Sequence, residues 1–139
     1  MTRMKREGDG ATPIGRFELH SMYRRNDGPA SRYPSLGCRA IRPDDIWCDT
    51  PGHPLYNRRC RGHLSVSHEN LWRNDHIYDV IVVLDYNMRP RVHGRGSAIF
   101  FHLTREPPAP TAGCVAISAA AMRRLLPRLR KGAVMLIRR

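Results

Sequence analysis

The apolar positions of the chain are bunched into short runs, and each run predicts an element. Residues 78–86 form a β-branched stretch without proline, the clearest strand signal. Residues 97–103 predict a second buried strand, and residues 133–137 a last one after a turn at Gly132. Residues 16–23 alternate, with Phe17 and Leu19 on one face, so a strand is expected there after a turn over residues 5–15. Residues 115–117 read as a short extended piece. Ser118 can cap a helix over residues 119–126, and Pro127 then kinks or ends it.

The remaining stretches are turns. Residues 87–96 form one, and residues 105–111 carry three prolines and make a stiff, non-helical loop. Residues 24–71 show no period and hold Asp27-Gly28-Pro29, Arg42-Pro43-Asp44-Asp45 and Thr50-Pro51-Gly52, all turn chemistry. Trp47, Leu55, Tyr56 and Trp72 are expected to pin this segment to the core. The sum is a mainly β fold, a sandwich or curved sheet, with one C-terminal helix. At 139 residues the chain reads as one domain over 1–139, and no apolar run is long enough to span a membrane.

Charge changes the picture at the level of partners. The net charge is +12, from 22 Arg and 2 Lys against 12 Asp and Glu. That balance favours anionic partners: nucleic acid, an anionic cell wall or a membrane surface. The arginines are scattered, however, and no block of like charge marks a binding tail. No helix-turn-helix, zinc-finger or RRM signature accompanies them, so nucleic acid is not the expected partner. The four cysteines, Cys38, Cys48, Cys60 and Cys114, form no CxxC pair, and a structural zinc site is not expected. His53, His63, His68 and His76 match no metal-ligand spacing. Residues 1–10 have no apolar core of a secretory signal.

One constellation carries chemistry. His102 ends the apolar run Ile99-Phe100-Phe101, and Cys114 follows Gly113 in Thr111-Ala112-Gly113-Cys114-Val115. A thiolate is a nucleophile, and a histidine can take the thiol proton. Gly113 permits close backbone approach, its N–H and that of Cys114 can face an oxyanion, and Thr111 can orient the turn. By spacing alone, a buried cysteine beside a strand histidine explains the same residues. Ser35-Leu36-Gly37-Cys38 repeats the pattern, with His20 upstream, but lacks the flanking apolar strand. Arg105, whose planar fork suits a carboxylate, Tyr78 and Asn87 are further candidates for substrate contact.

The chain resembles the L,D-transpeptidase catalytic domain, the YkuD family. Lys5-Arg6-Glu7-Gly8-Asp9-Gly10-Ala11-Thr12-Pro13-Ile14-Gly15-Arg16-Phe17 is similar to the family's K-x-G-x-x-x-T-P-x-G-x-F, and His102 with Thr111–Val115 to its histidine followed by [ST]-x-G-C-[IV]. The resemblance implies a β-rich fold and acyl transfer on peptidoglycan stem peptides by Cys114 and His102, without metal or cofactor. An amine acceptor would give a 3→3 cross-link, and water would give L,D-carboxypeptidase trimming. It also implies a cell-envelope location, with the cytoplasm as the alternative. Ala112 and Ala116 stand where the family often has His and Arg or Asn. A strand or two is expected upstream of residue 5, where this chain has almost none. The rival reading is a non-catalytic basic binding module for cell wall or nucleic acid.

Overall fold

The computed structural model describes residues 1–27 and 36–139. Gly28 and Pro29 of the first turn motif, and Ser35 of the second cysteine motif, lie outside the described residues. In chain order the strands are β1 (Gly15–Arg24), β2 (Cys38–Ala40), β3 (Asp45–Cys48), β4 (Arg58–Arg61), β5 (His68–Asn70), β6 (Val80–Leu84), β7 (Phe100–Leu103) and β8 (Val115–Ile117). The helix α1 (Ala119–Leu125) runs into a 3₁₀ turn over Leu126–Arg128, and β9 (Val134–Ile137) follows. The fold is mainly β with one C-terminal helix, as the sequence pattern predicts.

Two sheets form. The larger has the order β2-β1-β6-β7-β8, with β9 also paired to β1, and the smaller is β4-β3-β5. Strand β1 is long enough to serve several partners. Its first half, Gly15–Glu18, pairs with β9, and a register shift between Leu19 and Ser21 precedes its pairing with β6. The pairs β1–β2 and β7–β8 are parallel; the others are antiparallel.

Strand β6 explains why the large sheet is covered on both sides. Its alternate residues divide between two cores: Val82 and Leu84 join Leu19, Phe101, Met122 and Leu126 beneath the helix, while Ile81 and Val83 join Tyr23, Trp47, Tyr78 and Phe100 beneath the small sheet. Burying each such side chain contributes about 1.5–3 kcal/mol relative to exposure. The same alternation in β7 sends Phe101 to the helix side and Phe100 to the small-sheet side, and His102 follows Phe100.

Two sequence expectations shift. Residues 24–71 are not irregular throughout but supply β2 to β5. Trp47 and Tyr56 are buried there, while Leu55 and Trp72 are half-buried. The run 97–103 narrows to Phe100–Leu103, because Ala98 takes a left-handed φ of 51° and turns the chain before the strand starts. At the helix, the Ser118 side chain accepts from the Ala121 N–H, the cap that the sequence predicts.

Candidate active site

The site grows from the parallel pair β7–β8. The register sets His102 opposite Ala116 and Phe101 opposite Val115, so Cys114 lies just before β8, at the level of Phe100. Its thiol donates to the Ala98 carbonyl at 3.2 Å and accepts from the Phe100 N–H at 3.4 Å. The turn before it is fixed by Thr111, whose hydroxyl donates to the Cys114 carbonyl at 2.7 Å. His102 is buried, with Nδ1 2.8 Å from the Leu103 carbonyl oxygen. A carbonyl only accepts, so that contact places the ring proton on Nδ1. The Tyr78 ring packs edge-on against His102 at 5.1 Å and against Phe100 at 5.9 Å, holding the imidazole from the side.

Cys114 and His102 line one cleft of about 260 Å³, together with Thr111, Ala112, Ala116, Arg73 and Arg105. Its electrostatics favour neutral groups. Burial pushes the Cys114 thiol up to about 12, helped by Glu69, while the Phe100 N–H and Lys5 pull the other way. Burial also lowers the basicity of His102, against the Leu103 carbonyl. The Tyr78 hydroxyl is pushed up, first by burial and then by Cys114.

A family model for the L,D-transpeptidase catalytic domain, YkuD, matches residues 3–137. The chain belongs to this family. Comparison with curated proteins and with solved structures gave no match. Membership in the YkuD family implies an enzyme of L,D-transpeptidase type, acting on peptidoglycan, and implies the cell envelope as its setting. Among the described residues, no helix is long and apolar enough to cross a membrane.

Within this YkuD domain the other candidate residues separate. Arg105 is exposed on the cleft rim, 3.9 Å from Asp75. Tyr78 is buried behind His102 rather than open to the cleft. Asn87 is not brought to the cleft: its amide donates to the Val92 and Gly96 carbonyls and its oxygen accepts from the Val92 N–H, closing the 87–96 turn. Gly113, at φ 108°, is close to backbone as expected, but the neighbour is the protein's own: a Cβ there would stand 2.8 Å from the Ala11 carbonyl oxygen. Ala112 and Ala116 both present methyl groups to the cleft.

The structure adds a residue that the sequence reading passed over. Arg73 lines the cleft, donates to both Asp75 oxygens at 2.9 and 2.6 Å, and lies over the Tyr78 ring. No motif marks it; it reaches the cleft from the segment between β5 and β6. The Cys38 motif is placed elsewhere. Cys38 is half-buried on β2, where burial pushes its thiol up, and His20 is exposed and contacts Ser21. His20 borders a larger cavity of about 530 Å³, which Cys38 does not line.

Proposed function

We propose that Cys114 is the nucleophile and His102 the general base of an L,D-transpeptidase-type acyl transfer on peptidoglycan stem peptides. The observation that supports this reading is the shared cleft: in a YkuD domain, β7 and the turn leading into its parallel neighbour β8 present one imidazole and one thiol to the same space. The reaction begins with two neutral groups. As substrate enters, the thiol proton passes to Nε2 of His102, and the sulfur attacks the carbonyl of the third stem residue. The backbone N–H groups of Gly113 and Cys114 are the proposed donors to the oxyanion. The C–N bond then breaks, the imidazolium returns its proton to the departing D-alanine amine, and a thioester remains on Cys114. An amine acceptor or water, deprotonated by His102, attacks that thioester and restores the thiol. The first acceptor gives a cross-link and the second a trimmed stem.

Incubation with a tetrapeptide stem, read by mass, tests this. Wild-type protein should release D-alanine, and a carbapenem should add its mass at Cys114. Cys114→Ala should abolish both. His102→Ala should slow turnover by about 10²–10⁴-fold, the range a positioned acid–base group contributes. A carbapenem adduct confined to Cys38 would sink the assignment. Salt-sensitive binding of nucleic acid with no acylation would favour the basic binding module instead.

A further inference from the structure

Lysine is almost never fully buried unless it is paired. Lys5 is 7% exposed, far from any surface role, and its burial has a specific geometry. Its stem crosses Gly96, where a Cβ would stand 2.8 Å from Cγ and 3.0 Å from Cε. Its ammonium reaches Gly113, where a Cβ would stand 3.4 Å from Nζ. Both glycines have left-handed φ, 91° and 108°, so the slot exists only because neither carries a side chain. These two glycines begin the two backbone pieces that hold the Cys114 sulfur. Gly96 leads to Ala98, whose carbonyl accepts from the thiol, and Gly113 leads directly to Cys114.

The loop around Lys5 is built to keep the charge there. Lys5 donates to the Arg6 carbonyl and to the Asp9 carboxylate. Asp9 also accepts from the Arg6 N–H at 2.8 Å and from the Ala11 N–H at 2.9 Å. Burial works against the ionised carboxyl, but these N–H donors and Lys5 hold it at about 2, so the carboxylate beside the Lys5 side chain stays ionised. The Ala11 carbonyl then abuts Gly113. A methionine would fill the same slot, and a mere spacer would need no ammonium.

We propose that Lys5 is a positioning residue for the nucleophile: it braces the Gly113 turn and supplies a positive charge that favours the Cys114 thiolate. This rests on Cys114 being the nucleophile. The charged or titratable groups facing the sulfur are then Lys5 from the N-terminal loop, Glu69 from β5, Tyr78 from the approach to β6, His102 from β7 and, in the cleft, Arg73 and Arg105; of the cations, Lys5 is the one whose charge bears on the thiol. Glu69 and burial hold the thiol protonated, while Lys5 and the Phe100 N–H favour the thiolate.

The test is the pH dependence of Cys114 alkylation by iodoacetamide, followed on the Cys114 peptide by mass, with thermal midpoints measured alongside. Lys5→Met keeps the shape without the charge, Lys5→Gln keeps hydrogen bonding without the charge, and Lys5→Arg keeps the charge. Both neutral variants should alkylate about tenfold more slowly than wild type at about pH 9, one unit of displacement of the rate–pH line. Lys5→Arg should stay within about threefold of wild type. A purely structural brace gives the opposite sign, since a loosened turn exposes the thiol and speeds alkylation. Neutral variants as fast as wild type, or faster, overturn the proposal; should Lys5→Met not fold, Lys5→Gln carries the same comparison. Alkylation reads Cys114 whatever the substrate. Absence of stem-peptide turnover would therefore overturn the acyl-transfer reading alone, and an unmoved rate–pH line in an active enzyme would overturn this one alone.

Discussion

At neutral pH the Cys114 thiol keeps its proton and His102 carries no charge, because burial disfavours ionisation of both. This differs from a preformed thiolate–imidazolium pair, and kinetics can tell them apart. With the thiol pushed up to about 12, alkylation of wild-type Cys114 should climb about tenfold per pH unit through pH 8 to 10 without a plateau. A plateau below pH 8 would mean a resting ion pair. His102 also makes a statement about stability. Its folded-state basicity lies below the ordinary 6.5, so above that value the group contributes no pH dependence. As pH falls below 6.5 the unfolded chain takes up a proton that the folded protein resists, and stability is lost until the lower folded value is passed. Urea midpoints should therefore be lower at about pH 5 than at pH 7.5 in wild type, with that difference reduced in His102→Gln. Cys114, His102 and Thr111 were legible in the sequence because a strand end and a glycine turn have local signatures. Arg73 and the burial of Lys5 were not, because the cleft residues that Arg73 meets and the glycines that enclose Lys5 lie far along the chain.

Elements of three or four residues leave too few positions for alternation to be read, which is why β2 to β5 were invisible in residues 24–71. What holds the small sheet is a side-chain network rather than a pattern. Asp45 on the central strand β3 is 0% exposed. It accepts from Arg59 on β4 with both oxygens at 2.6 Å and from the Arg42 N–H at 2.8 Å. Arg61 adds a further contact at 3.4 Å. Breaking one side of a buried pair strands the other, so Asp45→Asn should destabilise by about 3–5 kcal/mol in urea unfolding. The double change with Arg59→Met should cost less than the sum of the singles. Asn57 ties this layer to the large sheet. Its oxygen accepts from the Trp47 indole and the Ala98 N–H, and its amide donates to the Tyr86 and Asn87 carbonyls. The small sheet thus positions the Ala98 carbonyl, which meets the Cys114 thiol. The long strands, by contrast, follow their β-branched runs closely: Val80–Leu84 lies within the stretch that the sequence predicts.

Across the whole molecule the charge remains strongly positive, +12, and the described ion pairs are mostly partly exposed and of small individual worth. The excess should appear as attraction to anionic wall material. Co-sedimentation with isolated peptidoglycan bearing anionic polymers should be strong at low salt and fall sharply by about 0.5 M, where screening is short-ranged. Retention that ignores salt would point to a shape-specific contact instead. The β class and the single helix were legible at this scale, since runs of apolar residues report which segments must be covered. The division into two sheets was not, because sheet pairing is a relation between distant segments.

That relation has a consequence for how the domain comes into being. Strand β1 is the first strand in the chain, yet its leading half is completed by β9, the last. On a ribosome, Gly15–Glu18 would wait with one edge unpaired until residues 134–137 had emerged. Such high contact order slows folding and delays completion of this edge until residues 134–137 are available. The Lys5–Ala11 loop just ahead of β1 must then be held until the Gly113 turn has been made. Assembly of the nucleophile would be among the final steps, and a nascent fragment ending before β9 would expose the edge that β9 covers.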